Sequence, residues 1–146
     1  MRRATKEDVP RLLELGRAMH AESRFREFKF DGDKVTRFLS AMMGNSSMIL
    51  LVDGEPVHGM LIAYVQPFWW GSDLESFDLV LYVTPEARGK SSAIRLVNEY
   101  KRIARKMGVS DPRISTGTGI ETERTGKLFE RLGFKGAGLM FSLKAA

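Results

Sequence analysis

An apolar run, Leu79–Val83, leads directly into a short segment rich in small, basic and hydroxyl side chains, Thr84–Ala93. A helical pattern begins inside that segment, so the order predicts a strand, a tight loop and a helix. The first amides of a helix have no partner within it and lie at the positive end of the helix dipole. Because a phosphate can bind such amides, this segment predicts an anion site where a strand end meets a helix start.

Two nucleotide-binding loops are excluded by the position of the glycines. The Walker A pattern requires a glycine five positions before Gly89-Lys90-Ser91, and Thr84 stands there. The dinucleotide pattern G-x-G-x-x-G is also incomplete, because Thr122 follows Gly117 and Gly119 where the third glycine belongs. The anion site therefore needs another explanation.

Composition narrows the possible chemistry. The chain has 146 residues, which predicts one domain over residues 1–146. It has no cysteine, which excludes a thiol nucleophile, a disulfide framework and a cysteine metal site. His20 and His58 lie far apart in sequence, so no metal site is predicted.

Charge and hydropathy indicate the type of partner. The net charge of +5 favours an anionic ligand. The run Lys101-Arg102 with Arg105-Lys106 has no interleaved aromatic residues, so it is interpreted as a solvated helix face and nucleic acid is disfavoured. No apolar run approaches the roughly 20 residues of a membrane span, and the start of the chain lacks the apolar core of a signal peptide. We expect a cytoplasmic protein without a membrane partner.

The periodicity predicts the order β-α-α-β-β-β-α-β-α-β. A three-strand meander leads into a β-α-β crossover, which predicts a mixed sheet with helices on its faces. Helices are predicted from Asp8 or Thr5 to about Met19, from Asp31 or Asp33 to Gly44, at Ser91–Met107 and at Thr122–Leu132; strands are predicted at Arg2–Ala4, Ser47–Val52, Val57–Val65, Leu74–Val83, Arg113–Thr116 and Phe134–Leu143.

The loop resembles the pyrophosphate loop of GNAT-superfamily N-acetyltransferases, whose pattern is Arg or Gln, two residues, Gly, one residue, then Gly or Ala. Arg88 and Ala93 match the first and last positions, whereas Ser91 replaces the middle glycine. Serine can serve there if its φ is negative. The segment Thr125–Phe134 also resembles the last helix and strand of that family. The resemblance implies an α/β (α+β) fold, a mixed and mostly antiparallel twisted sheet flanked by about four helices.

The resemblance also implies acetyl-CoA as acyl donor, with no metal. Its pantetheine arm would enter where Leu74–Val83 and Arg113–Thr116 splay apart. Backbone groups of Leu74–Val83 would pair with the arm, and the amide of Leu81 or Tyr82 would stabilise the thioester oxygen. The residues expected at the cofactor are Leu81, Tyr82, Val83, Arg88, Gly89, Lys90, Ser91, Ser92, Ala93, Thr122 and Phe129.

Acetyl transfer needs a neutral amine, so a base must remove a proton. Asp78 precedes Arg88 by ten residues, the spacing of the carboxylate base in histone-acetylating members, and is expected to share a strand face with Val80 and Tyr82. Glu75 is the second candidate and would need a bulge to reach that face. Asp78 as a partner of a basic neighbour remains the alternative. Phe129 stands where many members carry a tyrosine acid, which favours unaided departure of the thiolate or an inactive relative.

The acceptor wall is expected to include Glu22, Phe25 and Trp69, with both aromatic regions at one mouth of the cleft. Alternatively, the aromatic residues cap the core or form a homodimer contact. The expected acceptor is a primary amine of a small molecule or a peptide. A CoA-binding module without catalysis and a small basic nucleic-acid-binding protein are the other two hypotheses.

Overall fold

The computed structural model describes residues 1–143, which form a five-stranded sheet with helices on its faces. The central strands are apolar runs that are buried along most of their length, as expected for a sheet covered on both sides. The strands are β1 (Arg2–Arg3), β2 (Met48–Asp53), β3 (Gly59–Pro67), β4 (Leu74–Val83) and β5 (Val109–Pro112), and the helices are α1 (Val9–Glu22), α2 (Gly32–Met42), α3 (Ser92–Lys106) and α4 (Thr122–Arg131).

The sheet follows the order β1-β2-β3-β4-β5. The first four strands are antiparallel to their neighbours, and β5 is parallel to β4 after the crossover through α3. This confirms the predicted mixed, mostly antiparallel sheet with about four helices. Within residues 1–143, no helix is both long enough and apolar enough to cross a membrane.

The sheet separates two apolar clusters, and the side chains of successive strand residues enter them alternately. One cluster joins the sheet to α3 through residues such as Leu96 and Tyr100. The other joins it to α1 and α2 through Leu12 and Leu39. The two faces of β4 are therefore distinct environments, which matters for every side chain placed on that strand.

The strand predicted at Arg113–Thr116 lies four residues earlier, at β5. Gly108 ends α3 with φ +76°, and the apolar Val109 then pairs at once with Leu74. The prediction took Asp111-Pro112 as a turn that precedes the strand. That prediction was wrong, because burial of Val109 beside β4 sets the start of the pairing.

The final predicted strand, Phe134–Leu143, is not a strand in the described part of the chain. Phe134 packs against Phe129, but the large apolar side chains after it are exposed. Gly136 and Gly138 interrupt the segment, and glycine weakens strands because it has no side chain to pack. Pairing along this segment was therefore predicted wrongly. The exposed side chains are Leu139, Met140, Phe141 and Leu143.

Candidate active site

A bulge at Leu79 interrupts β4, and the alternation of side chains between the two sheet faces changes phase there. Ala63 pairs with Asp78, whereas the adjacent Ile62 pairs with Val80, so Leu79 has no partner in β3. An extra residue reverses the alternation of side chains beyond it. The bulge thus decides which residues of β4 share a face.

Asp78 lies on the α3 side of the sheet. Ser76, two residues earlier, shares a 2.7 Å hydrogen bond with the hydroxyl of Tyr100 in α3. Val80 and Tyr82 instead belong to the cluster beneath α1 and α2. The expectation that Asp78 shares a face with these two residues was therefore wrong, because the apolar run gives no sign of the bulge.

β4 and β5 diverge beside Asp78. The Arg113 amide donates to the Ser76 carbonyl at 2.8 Å, which continues the parallel ladder by one residue. Next, the Ser115 amide donates to Oδ1 of Asp78, also at 2.8 Å, so a side chain replaces the main chain of β4. The two segments therefore separate at the position of Asp78.

Burial raises the pKa of the Asp78 carboxyl to about 6, and hydrogen bonds from Ser115 oppose that rise only in part. Such a carboxylate is mostly ionised at neutral pH and still binds a proton readily, which suits a general base. Ser115 was not singled out by sequence, because the contact joins residues 37 positions apart.

Glu75 is in a different environment. It lies three positions before Asp78 without an intervening bulge, so its side chain points to the opposite face. It accepts a 2.8 Å hydrogen bond from Gln66 and forms an ion pair with Arg113. The bulge expected for Glu75 exists, but at Leu79, and it does not bring the two carboxylates together.

Beyond the bulge, the main chain of Leu81 faces away from β3. The Thr84 amide donates to the carbonyl of His58 next to β3, and strand groups alternate in direction. The carbonyl of Val83 therefore points the other way, and it accepts from Nε of Arg88 at 2.9 Å. Leu81 shares this direction, whereas Tyr82 points its backbone toward β3. Of the two amides considered for the thioester oxygen, that of Leu81 faces the divergence of the strands.

The predicted phosphate loop turns sharply before α3. The Arg88 amide donates to the Pro85 carbonyl at 3.3 Å, so the amides available to an anion begin at Gly89. Gly89 has φ +76°, a region that favours glycine. Ser91 has φ −84°, the negative value at which serine can replace the family's glycine. Of the other predicted loop residues, Lys90 is exposed, Ser92 is buried and Ala93 packs against the core.

Arg88 forms a bidentate ion pair with Glu22, which joins the loop to the end of α1. Nη2 of Arg88 lies 2.7 Å from Oε2 of Glu22, and Nη1 donates to the other carboxylate oxygen. The hydroxyl of Tyr82 donates to the same carboxylate at 3.0 Å. Arg88 lowers the pKa of Glu22, and burial together with Glu22 raises the pKa of Tyr82 to about 12. The chain positions joined here are 66 apart, and no local pattern predicts such a pair.

The predicted acceptor residues are not brought together. Phe25 follows Glu22 closely and lies beneath the guanidinium of Arg24, 4.5 Å from its ring centre. Trp69 is almost fully exposed in the turn before β4. Glu22 contacts Tyr82 at the other end of β4, which lies about 25 Å from the start of that strand at the usual rise per residue. One mouth containing both aromatic regions is therefore not formed.

A surface cleft of about 650 Å³ lies along α4. Thr122, predicted at the cofactor, lines this cleft together with Arg124. Phe129, also predicted there, is buried in the core instead. A Cβ atom placed on Gly89 would lie 3.3 Å from Nη2 of Arg124, so this arginine contacts the loop. Sequence reasoning missed Arg124, although its position in a helix after a glycine-rich loop was a usable signal.

Comparison with solved structures identifies many similar folds. A transcriptional regulator from Bacillus halodurans C-125 is 18% identical, with TM-score 0.79 and coverage of 99% of this chain and 97% of that chain. An acetyltransferase from Trypanosoma brucei is also 18% identical, with TM-score 0.74 and coverage of 99% and 97%. An aminoglycoside acetyltransferase from an uncultured soil metagenomic sample is 19% identical, with TM-score 0.70 and coverage of 98% and 95%. At these identities the likeness is one of fold.

Comparison with curated proteins gives no match. A family model described as "Acetyltransferase (GNAT) family" matches residues 13–134, which include most of α1, the whole meander, the loop and α4. That match covers most of the chain and agrees with the sheet order and with the loop at the end of β4. The chain therefore belongs to the GNAT acetyltransferase family.

Proposed function

We propose that this protein is an acetyl-CoA-dependent N-acetyltransferase that acts as a single domain over residues 1–146. It would move an acetyl group to a primary amine of a small molecule or peptide by direct attack. One observation carries the proposal: β4 and β5 diverge beside a half-buried carboxylate, directly before a loop that enters α3. Family membership supports the acyl transfer, and this geometry supports where it occurs.

The residues fit the cofactor. The backbone of Leu81 faces the divergence, where an amide-containing arm can pair as an added strand. Gly89 leaves its side of the loop without a Cβ, which allows a diphosphate to approach the amides. Lys90 and Arg124 add positive charge at the same place.

Bound acetyl-CoA supplies the activated acetyl group as a thioester. Asp78 would accept a proton from the ammonium of the acceptor, directly or through a water molecule, because an ammonium has no lone pair with which to attack. The amide of Leu81 would donate to the oxygen that gains negative charge. Phe129 has no proton to give, so the thiolate would be protonated from solvent.

Calorimetric titration with acetyl-CoA, followed by a thiol-release assay against a panel of amines and peptides, tests the proposal. We expect saturable binding and thiol release that depends on an amine. Absence of binding would end the proposal. A CoA-binding module without turnover is the second candidate, favoured by the position of Phe129 in the core. Binding without thiol release on any amine would support it.

A further inference from the structure

The guanidinium of Arg88 is engaged by the protein itself. Its Nε donates to the carbonyl of Val83, and both terminal nitrogens donate to Glu22. Its carbon lies 5.5 Å from the centre of the Tyr82 ring. The side-chain partners of Arg88 are thus the ends of α1 and β4, although its position in the loop suggests a phosphate ligand.

Arg124, in α4, approaches the same loop at Gly89. Its Nη2 is 3.3 Å from the point where Gly89 would carry a Cβ, so it contacts the open face of the glycine. The Arg124 side chain is 63% exposed and forms an ion pair with Glu121 at 3.2 Å. Exposed pairs three residues apart on a helix are weak, so this guanidinium can exchange its carboxylate for a phosphate.

The cleft around Arg124 contains both basic side chains and carboxylates. Lys127 and Arg131 line the same cleft of α4 and lie on the same helix face. Glu121 and Glu123 line it too, and Glu123 forms an ion pair with Lys127 at 3.2 Å. The positive and negative charges of this cleft therefore nearly cancel. Among its cations, Arg124 is the one that contacts Gly89.

We propose that Arg124 binds the diphosphate of the cofactor, whereas Arg88 braces α1 against the end of β4 and does not contact it. This assignment rests on the proposed function, because that function supplies the diphosphate. Arginine matches phosphate geometry with two parallel hydrogen bonds, whereas the exposed Lys90 offers only a point charge.

The test is calorimetric titration of CoA and 3′-dephospho-CoA into the wild type and three variants. Arg124→Gln should weaken both ligands by about tenfold, the loss of one charge-assisted contact at an exposed site. Arg102→Gln is the matched control, since Arg102 is 61% exposed and pairs with Glu99, also three residues earlier. It should stay within about twofold of the wild type.

Glu22→Gln removes the carboxylate that pairs with Arg88, and it should not tighten binding. A severalfold gain in this variant would identify Arg88 as the phosphate ligand and overturn the assignment. The assignment also fails if Arg124→Gln binds CoA as the wild type does, or if its loss disappears with 3′-dephospho-CoA, which would place Arg124 at the 3′-phosphate. Failure of the wild type to bind CoA would instead overturn the proposed function.

Discussion

Replacing Asp78 with asparagine should stabilise the protein above about pH 6 and lower its kcat/KM by about 10²- to 10⁴-fold. The carboxyl of Asp78 is half-buried, and burial raises its pKa from 3.8 to about 6. This rise in pKa means that folding disfavours the ionised form of Asp78 by about 3 kcal/mol relative to the protonated form. Asparagine is neutral and its carbonyl can still accept from the Ser115 amide, so the variant avoids the cost of the buried charge.

Proton linkage determines whether the free energy of unfolding rises or falls with pH. Between about pH 4 and about pH 6, the folded protein keeps a proton on Asp78 that the unfolded chain has lost. The contribution of Asp78 to the free energy of unfolding is therefore complete below that window and is lost as the pH rises through it. The stability of Asp78→Asn relative to the wild type should rise by up to about 3 kcal/mol across the window.

Urea unfolding of both proteins between about pH 4.5 and about pH 8 measures this difference. Asp73→Asn, in the exposed turn before β4, is the control that removes a carboxylate from the same strand region without a burial cost. A flat difference for Asp78→Asn would refute the reasoning about its burial. If Asp78 is the base, kcat/KM of the wild type should rise with pH through about 6, and the variant should lose about 10²- to 10⁴-fold.

Gly89→Ala should weaken acetyl-CoA binding by about tenfold in calorimetry, because a Cβ at φ +76° meets Arg124 and narrows the loop. Gly44 has the same φ with open space around it, so Gly44→Ala is the control. It should cost a similar amount of stability, about 1 kcal/mol, and leave the affinity for acetyl-CoA unchanged. Equal affinities for the two variants would contradict the assignment of the loop to the cofactor. Asp53→Asn should destabilise the protein by about 2 kcal/mol at neutral pH in urea unfolding, since its side chain is 1% exposed and bonds to Arg95. Burial alone would raise the pKa of Asp53, but hydrogen bonds from Arg95 and Ser92 lower it. The stability that Asp53 contributes is therefore present above about pH 4 and lost in acid, and an acid transition unchanged in Asp53→Asn would contradict this prediction.

Local patterns predicted much of the fold because each depends on neighbouring residues. The meander, the loop at Thr84 and the start of α3 follow from hydrophobic periodicity and the placement of glycines. The start of β5 was not predicted, because the pairing of Val109 with Leu74 outweighed the turn signal of Asp111-Pro112. Phe134–Leu143 was predicted from its apolar residues, but Gly136 and Gly138 interrupt it and it forms no strand in the described residues.

The candidate site was predicted by residue type more than by geometry. Asp78 was identified from its spacing, but the bulge at Leu79 places it on the other face of β4. The ion pair of Glu22 with Arg88 and the approach of Arg124 to the loop join distant parts of the chain. Such contacts depend on how the helices pack on the sheet, which no short motif specifies.

Titration of the wild type with acetyl-CoA tests the central claim most directly. We predict one molecule bound per chain with a dissociation constant of about 1 µM to 1 mM, the range in which enzymes commonly hold substrates. A heat signal no larger than that of dilution, at acetyl-CoA concentrations up to about 1 mM, would contradict it.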